Sequence, residues 1–211
     1  MLIEEDHISG YRYGNACLSH ANHFVLSVVL KVIEDLTLTG SKKKVFDLGC
    51  GNGSVAHILS EKGYDVIGVD PSKEAIEHWR RAYPNLKLFP GSAYDDLKSK
   101  FGQFPVVISL EVVEHVYSPQ KFASCVYDLL YDGGTAIIST PYHGYFKNLV
   151  LAFTGKLDAH FTALSEGGHI KFWSFESLKE LLINVGFTVT KLYRVGRISP
   201  LARSMIVVAR K

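Results

Sequence analysis

A chain of 211 residues with 47% hydrophobic and 21% charged side chains has the size and balance of one folded domain, neither disordered nor fibrous. Its formal net charge of +2 gives no electrostatic case for a nucleic-acid partner. Cys17, Cys50 and Cys125 are too widely spaced for a zinc site or a disulfide framework, and suit a reducing compartment. The acidic start, Glu4-Glu5-Asp6, is the opposite of a signal peptide's, and the apolar stretch 24–33 is broken by Ser27 and Lys31, so a cytoplasmic protein is expected.

The segment 1–15 has no clear period and reads as an arm. Apolar residues recur at helical spacing over 18–36, until Gly40-Ser41 stops the run. A short apolar strand, 43–48, enters the glycine-rich turn Gly49-Cys50-Gly51-Asn52-Gly53. The pattern then alternates: helix over 54–62, strand 65–69, helix 72–83 stopped by Pro84, and strand 86–89. Beyond Gly91-Ser92-Ala93-Tyr94 comes a short helix, for which Asp95 is a candidate cap. Strand 105–110, helix 119–131 and strand 134–140 follow. Strands this apolar are buried on both faces, as in a parallel sheet covered by helices. A last helix, 174–185, precedes strands 187–195 and 204–209, which have no helix between them and should pair antiparallel at the sheet's end. The fold expected is α/β: a Rossmann-like, seven-stranded, mostly parallel sheet with helices on both faces and an antiparallel last strand. The alternation does not require residues 141–173, which read as an insertion over the ligand crevice.

Three glycines alternating within the turn let the backbone bend sharply and approach a ligand closely, while the helix start offers free amides. Asp70 ends the second strand, where a carboxylate accepts ribose hydroxyls or caps the helix after Pro71-Ser72. Dinucleotide folds use Gly-x-Gly-x-x-Gly; here the third glycine comes one residue early and Asp47 precedes the first. S-adenosylmethionine carries an ammonium and a sulfonium, and Asp47 suits that positive end. On the turn, Asp47, Asp70 and the strand order, the chain from Lys43 onward resembles the class I S-adenosylmethionine-dependent methyltransferases. The resemblance implies a cofactor cradle of Asp47, Gly49, Cys50, Gly51, Asn52, Gly53, Asp70 and Pro71. It also implies an adenine contact at Ser92 and Ala93, and crevice contacts at Leu110 and Glu111. Cys50 reads as a small residue that fits the turn.

Polar residues just past a central strand belong to the ligand crevice of an open sheet. After the fourth strand, Glu111, Glu114 and His115 stand at i, i+3 and i+4, one side of a helical turn. Glu-x-x-Glu-His-Val at this place resembles the ubiquinone-biosynthesis O-methyltransferases. That resemblance implies a divalent cation such as magnesium on Glu111, Glu114 and His115, and a phenol- or catechol-like hydroxyl, free or lipid-linked, as the acceptor. His115 and, after the fifth strand, His143 are the candidate general bases. Tyr142 is a candidate wall for a flat acceptor, while His20, His23 and His169 lie either on the surface or over the pocket. The competing readings are an NAD-type oxidoreductase and a non-catalytic module that binds S-adenosylmethionine.

Residues 145–157 are rich in large apolar side chains and contain no acid. They form either a lid whose apolar face packs on the domain, or a contact with a membrane surface. In the second case Phe146, Leu149, Val150 and Phe153 would meet lipid, with Lys147 and Lys156 facing headgroups. The domain reading is therefore an arm and helix over the active site (1–42) and a methyltransferase domain (43–211) with an insertion or lid at about 142–172. The partner expected is a small-molecule acceptor, and the oligomeric state is open.

Overall fold

The computed structural model describes residues 20–36, 38, 43–161, 163–164 and 167–211. The arm expected over 1–15 and the side chains of His20 and His23 lie outside what is described. Seven strands, β1 (Lys44–Leu48), β2 (Asp65–Asp70), β3 (Lys87–Pro90), β4 (Phe104–Leu110), β5 (Leu130–Pro141), β6 (Thr188–Val195) and β7 (Ser204–Arg210), form one sheet in the order β3-β2-β1-β4-β5-β7-β6. Every pairing is parallel except those of β7, which runs antiparallel to both β5 and β6. This is the seven-stranded sheet expected from the apolar runs, with the antiparallel strand last in the chain.

Successive residues of a strand point to opposite faces, and here both faces are apolar. Val45, Val106 and Ile108 belong to one core with α1 (His20–Asp35), α2 (Ser54–Glu61) and Trp79 of α3 (Lys73–Ala82). Phe46 and Val107 belong to the other, which takes in Leu97 of α4 (Leu97–Phe101) and Phe122 and Val126 of α5 (Pro119–Asp128). Leu178 and Leu182 of α8 (Phe175–Asn184) complete that second core. The α1 helix buries Val25, Val29, Val32 and Ile33 and so forms part of a covering layer of the sheet.

Three local expectations are corrected. Helix α5 stops at Asp128, short of 131, because Leu129 and Leu130 are fully buried and the Leu129 carbonyl accepts from the Phe104 amide at 2.7 Å. The cap of α4 is Asp96, which accepts from the Ser99 amide at 3.1 Å. Asp95 instead accepts from the Ser92 amide at 2.8 Å and closes the preceding turn. The insertion holds α6 (Tyr145–Phe153) and α7 (Leu157–Phe161), and α6 is inside out. It buries Lys147 and leaves Tyr145, Phe146, Leu149, Val150 and Phe153 exposed. Lys147 therefore does not face headgroups; its Nζ donates inward to the Tyr142 carbonyl at 2.7 Å. Nor does the apolar face pack on the domain.

Gly68, within β2, marks a close approach of strand to turn: a Cβ there would lie 2.6 Å from Leu88 Cδ2 and 2.8 Å from Cys50 Cβ. Gly68→Val should cost about 1–3 kcal/mol through overpacking, read from the urea midpoint. An unchanged midpoint would show that β2 and the turn are not packed as described.

Candidate active site

The sheet's strand order reverses between β1 and β4, and a crevice outside the carboxyl ends of the strands follows from that switch. The Gly49 and Cys50 amides donate to the Val69 carbonyl at 2.8 and 3.1 Å, tying the turn to β2. Asp70 then grips both sides: Oδ2 accepts from the Gly51 amide and Oδ1 from the Ser72 amide, each at 2.8 Å. Ser72 in turn caps α3 through the Ala75 amide at 3.2 Å. Gly49, Gly51 and Gly53 all have positive φ (83°, 52° and 73°), a conformation that strains other residues. At Gly49 a Cβ would also fall 2.4 Å from Val112 Cγ2, so the turn and the segment after β4 touch. Cys50 is buried and its thiol is pushed well up by that burial, which leaves it without thiolate chemistry.

Asp47 is buried, and its Oδ2 has no hydrogen-bond partner. Burial pushes its carboxyl up to about 7, with the Asp70 charge adding to the effect. Burial also lifts Asp70 to about 6, against the two amides that stabilise its charge. An orphaned carboxylate oxygen beside a second buried acid fits a cationic ligand, which S-adenosylmethionine is. Ser92 and Ala93 are half-buried beyond β3, where the Gly91 amide bonds the Asp70 carbonyl at 3.2 Å. Pro71 is exposed at the start of α3, while Asn52 is buried and accepts from the Ser54 amide at 3.3 Å.

Leu110 is buried at the end of β4, and the Ser109 hydroxyl ties that strand to the Leu48 carbonyl at 2.7 Å. Glu111 has φ +57°, a left-handed conformation that non-glycine residues adopt at some cost and that clusters at functional sites. Its carboxylate accepts from the Ser139 hydroxyl at 2.9 Å and the Ser204 hydroxyl at 3.4 Å. Burial pushes it up to about 7 against those bonds and the charge of Lys147. Glu114 is fully enclosed with neither carboxylate oxygen hydrogen-bonded; burial first, then the Glu111 charge, pushes it well up. His115 Nδ1 lies 3.2 Å from the Gly168 carbonyl; since a carbonyl only accepts, Nδ1 carries the proton and Nε2 keeps its lone pair.

Ligand atoms of Glu114, His115 and His169 all lie within 4.8 Å of one another. The structure thus brings His169, rather than Glu111, beside Glu114 and His115, while Glu111 is held by serines. Position in the chain gave no sign of this. His169 arrives because the Ile170 and Lys171 amides donate to the Glu114 carbonyl at 2.9 and 3.0 Å. His143 is buried among His160, Phe161 and Phe172, with ring centroids 5.2, 5.9 and 5.1 Å away. Burial, then Lys147, His160 and His169, push it down to about 4. Tyr142 is buried with the Arg194 guanidinium 5.0 Å from its ring centroid.

A family model described as "Methyltransferase domain" matches residues 19–192. The chain belongs to this methyltransferase family. Among curated relatives, a ubiquinone biosynthesis O-methyltransferase of Psychrobacter arcticus is 29% identical over 154 residues, 69% of this chain and 59% of the relative. The mitochondrial protein of that name from Rattus norvegicus is 33% identical over 107 residues, 47% of this chain and 31% of the relative. The chain thus spans less than two thirds of the length of either. Among solved structures, an S-adenosylmethionine-dependent methyltransferase from Mesorhizobium loti aligns with a TM-score of 0.63 at 17% identity, covering 88% of this chain and 100% of that one. The magnesium protoporphyrin IX methyltransferase of Synechocystis aligns with a TM-score of 0.61 at 22% identity, covering 88% and 80%. These matches give the NAD-type reading no support.

Burial pushes the Asp47 carboxyl from an ordinary 3.8 up to about 7, so it destabilises the fold progressively as pH rises from about 3.8 to about 7 and by the full amount above that. Asp47→Asn should therefore raise the thermal midpoint of the free methyltransferase at pH 8 more than at pH 5.5. The same change should weaken S-adenosylmethionine by about tenfold or more at pH 8 through the loss of a charged contact. Calorimetry showing unchanged affinity would remove Asp47 from the cradle.

Proposed function

We propose that this methyltransferase moves the methyl group of S-adenosylmethionine to a hydroxyl oxygen of a small molecule, a phenol or catechol suiting the crevice best. The observation that carries this is the pairing of two unlike sites: the acidic glycine turn, and Glu114 and His115 on the segment that touches it through Val112, with His169 beside them. Asp47, Gly49, Cys50, Gly51, Asn52, Gly53, Asp70 and Pro71 would hold the cofactor, with Ser92, Ala93, Leu110 and Glu111 completing its cradle. When bound, it supplies a methyl carbon on a positively charged sulfur. The chain's own work is alignment, which can supply roughly 7–11 kcal/mol, and removal of the hydroxyl proton. His115 fits the role of proton acceptor, because burial lowers its pKa and keeps it neutral, and Nε2 is the nitrogen left to accept. His143, at about 4, accepts a proton far less readily. Helix α1 is assigned a covering role, since the ring of its Phe24 lies 5.7 Å from the Arg203 guanidinium at the crevice edge. Release of S-adenosylhomocysteine should be fastest with catechols when phenols, catechols, carboxylic acids and sugars are compared. Release with carboxylic acids alone would overturn hydroxyl transfer.

A second reading is favoured by the orphaned Glu114 oxygens. One carboxylate and two imidazoles suit a divalent transition metal such as manganese, iron or zinc better than magnesium, which prefers oxygen. Bound there, a cation supplies Lewis acidity toward the acceptor hydroxyl. Activity should then fall on chelation and return with a divalent metal, and Glu114→Gln should abolish the recovery. Full activity in excess chelator leaves His115 as a metal-free base.

The exposed face of α6 supports a peripheral membrane contact. Tyr145, Phe146, Leu149, Val150 and Phe153 share one side of the helix, and Lys156, just beyond it, is exposed. No helix among the described residues is long and apolar enough to cross a membrane. Flotation with anionic vesicles should be measurable and should drop when Phe146 and Phe153 become serine; absence of flotation by the parent removes the membrane contact.

A further inference from the structure

Next to the crevice, a cavity of about 290 Å³ opens between the end of β5, helix α6 and the connection from β6 to β7. Its polar lining is cationic: Lys147, Arg197, Arg203 and His160, with Pro141 and Leu151 among the apolar members. Among the described residues none of Lys147, Arg197 and Arg203 is ion-paired. Lys147 is the informative one. It is buried on a helix whose aromatic residues face outward, and its hydrogen bond to the Tyr142 carbonyl leaves two N–H donors to spare. Burial, then the charges of Arg197 and Arg203, push its ammonium down to about 8, with Glu111 pulling the other way. Glu111 attracts it only from a distance: the two form no ion pair, and the Glu111 oxygens are directed at Ser139 and Ser204. A buried ammonium among like charges is costly unless an anion joins it.

We propose that this cavity is an anion subsite for the methyl acceptor: it takes a carboxylate or phosphate carried by that molecule, on Lys147 Nζ together with Arg203 and Arg197. The inference rests on the reading of the crevice as the acceptor's place. The cofactor's own carboxylate is the wrong occupant, since no residue of the glycine turn lines the cavity. A hydroxyl-bearing acceptor anchored here at its anionic end would be oriented by a charge that water cannot easily screen at a buried lysine.

The test is calorimetry on the full chain saturated with S-adenosylhomocysteine, titrated with 3,4-dihydroxybenzoate and with the neutral 3,4-dihydroxybenzyl alcohol. The benzoate should bind about tenfold tighter or better. Inorganic phosphate should compete with the benzoate and not with the alcohol, and Lys147→Met and Arg203→Gln should each erase the preference. Lys147→Met should keep its affinity for S-adenosylhomocysteine and unfold no lower than the parent, which separates lost binding from lost fold. Equal binding of acid and alcohol by the parent, or a preference that survives both substitutions, overturns the proposal. So does a Lys147→Met variant that loses flotation with anionic vesicles while still preferring the benzoate, because the cavity would then serve a lipid headgroup. Since binding is read without turnover, failure of hydroxyl methylation would sink the proposed reaction and leave the subsite standing.

Discussion

One carboxylate holds the ligand-facing edge of this sheet together. Asp70 accepts from the Gly51 amide with one oxygen and the Ser72 amide with the other, so the turn after β1 and the start of α3 are fixed to a single side chain. Both amides belong to helix approaches that have no intrahelical partner for them. With its lone pairs only partly engaged, Asp70 positions the backbone and still presents negative charge to the crevice. The parallel pairing of β1 with β2 puts Asp47 level with Gly68, and the turn behind Gly49 then packs on Val112. In this way one strand end sets the geometry of the segment that follows another.

The crevice is divided by charge. Asp47, Asp70 and Glu114 are buried acids and Glu111 a half-buried one; the carboxyls all sit above their ordinary range, with desolvation the leading cause each time. Toward the β5 and β7 side the sign inverts, with Lys147, Arg197 and Arg203 around the neighbouring cavity. Neither half favours the stability of the free chain: Asp47 and Glu114 are buried with unpartnered oxygens, and Lys147 is a buried ammonium beside two exposed arginines of like charge. The proposed ligands would offset this cost: a cation at the acidic turn and an anion at the basic cavity.

The sheet was legible because its signal is local. Apolar strands such as 105–110, Pro84 as a helix stop, and the absence of an α-helix between the last two strands each act within a few residues. The glycine turn was legible for the same reason, since Gly49, Gly51 and Gly53 must bend the chain whatever surrounds them. What could not be read were partnerships across the fold. Glu111 looked like a companion of Glu114 and His115 by helical spacing, yet its φ of +57° breaks that spacing and delivers its oxygens to Ser139 and Ser204. His169 replaces it through two backbone bonds to Glu114 from more than fifty residues away, an arrangement no periodicity encodes. The short helix cap was missed by one residue, Asp96 for Asp95, because adjacent identical side chains offer no local distinction.

Helix α6 joins these themes. Read as a sequence, Lys147 looked like a surface charge within an apolar helix, and the physics of water would have placed it outward. Packing reverses the helix: the lysine goes in, toward the Tyr142 carbonyl and the cationic cavity, and the rings go out. The two contacts proposed above, an anion within and an apolar phase or an apolar ligand tail without, would favour both ends of this inversion. An acceptor with a charged head and a greasy body would meet both conditions at once, and the two-faced helix is the element that would bring its head to the crevice.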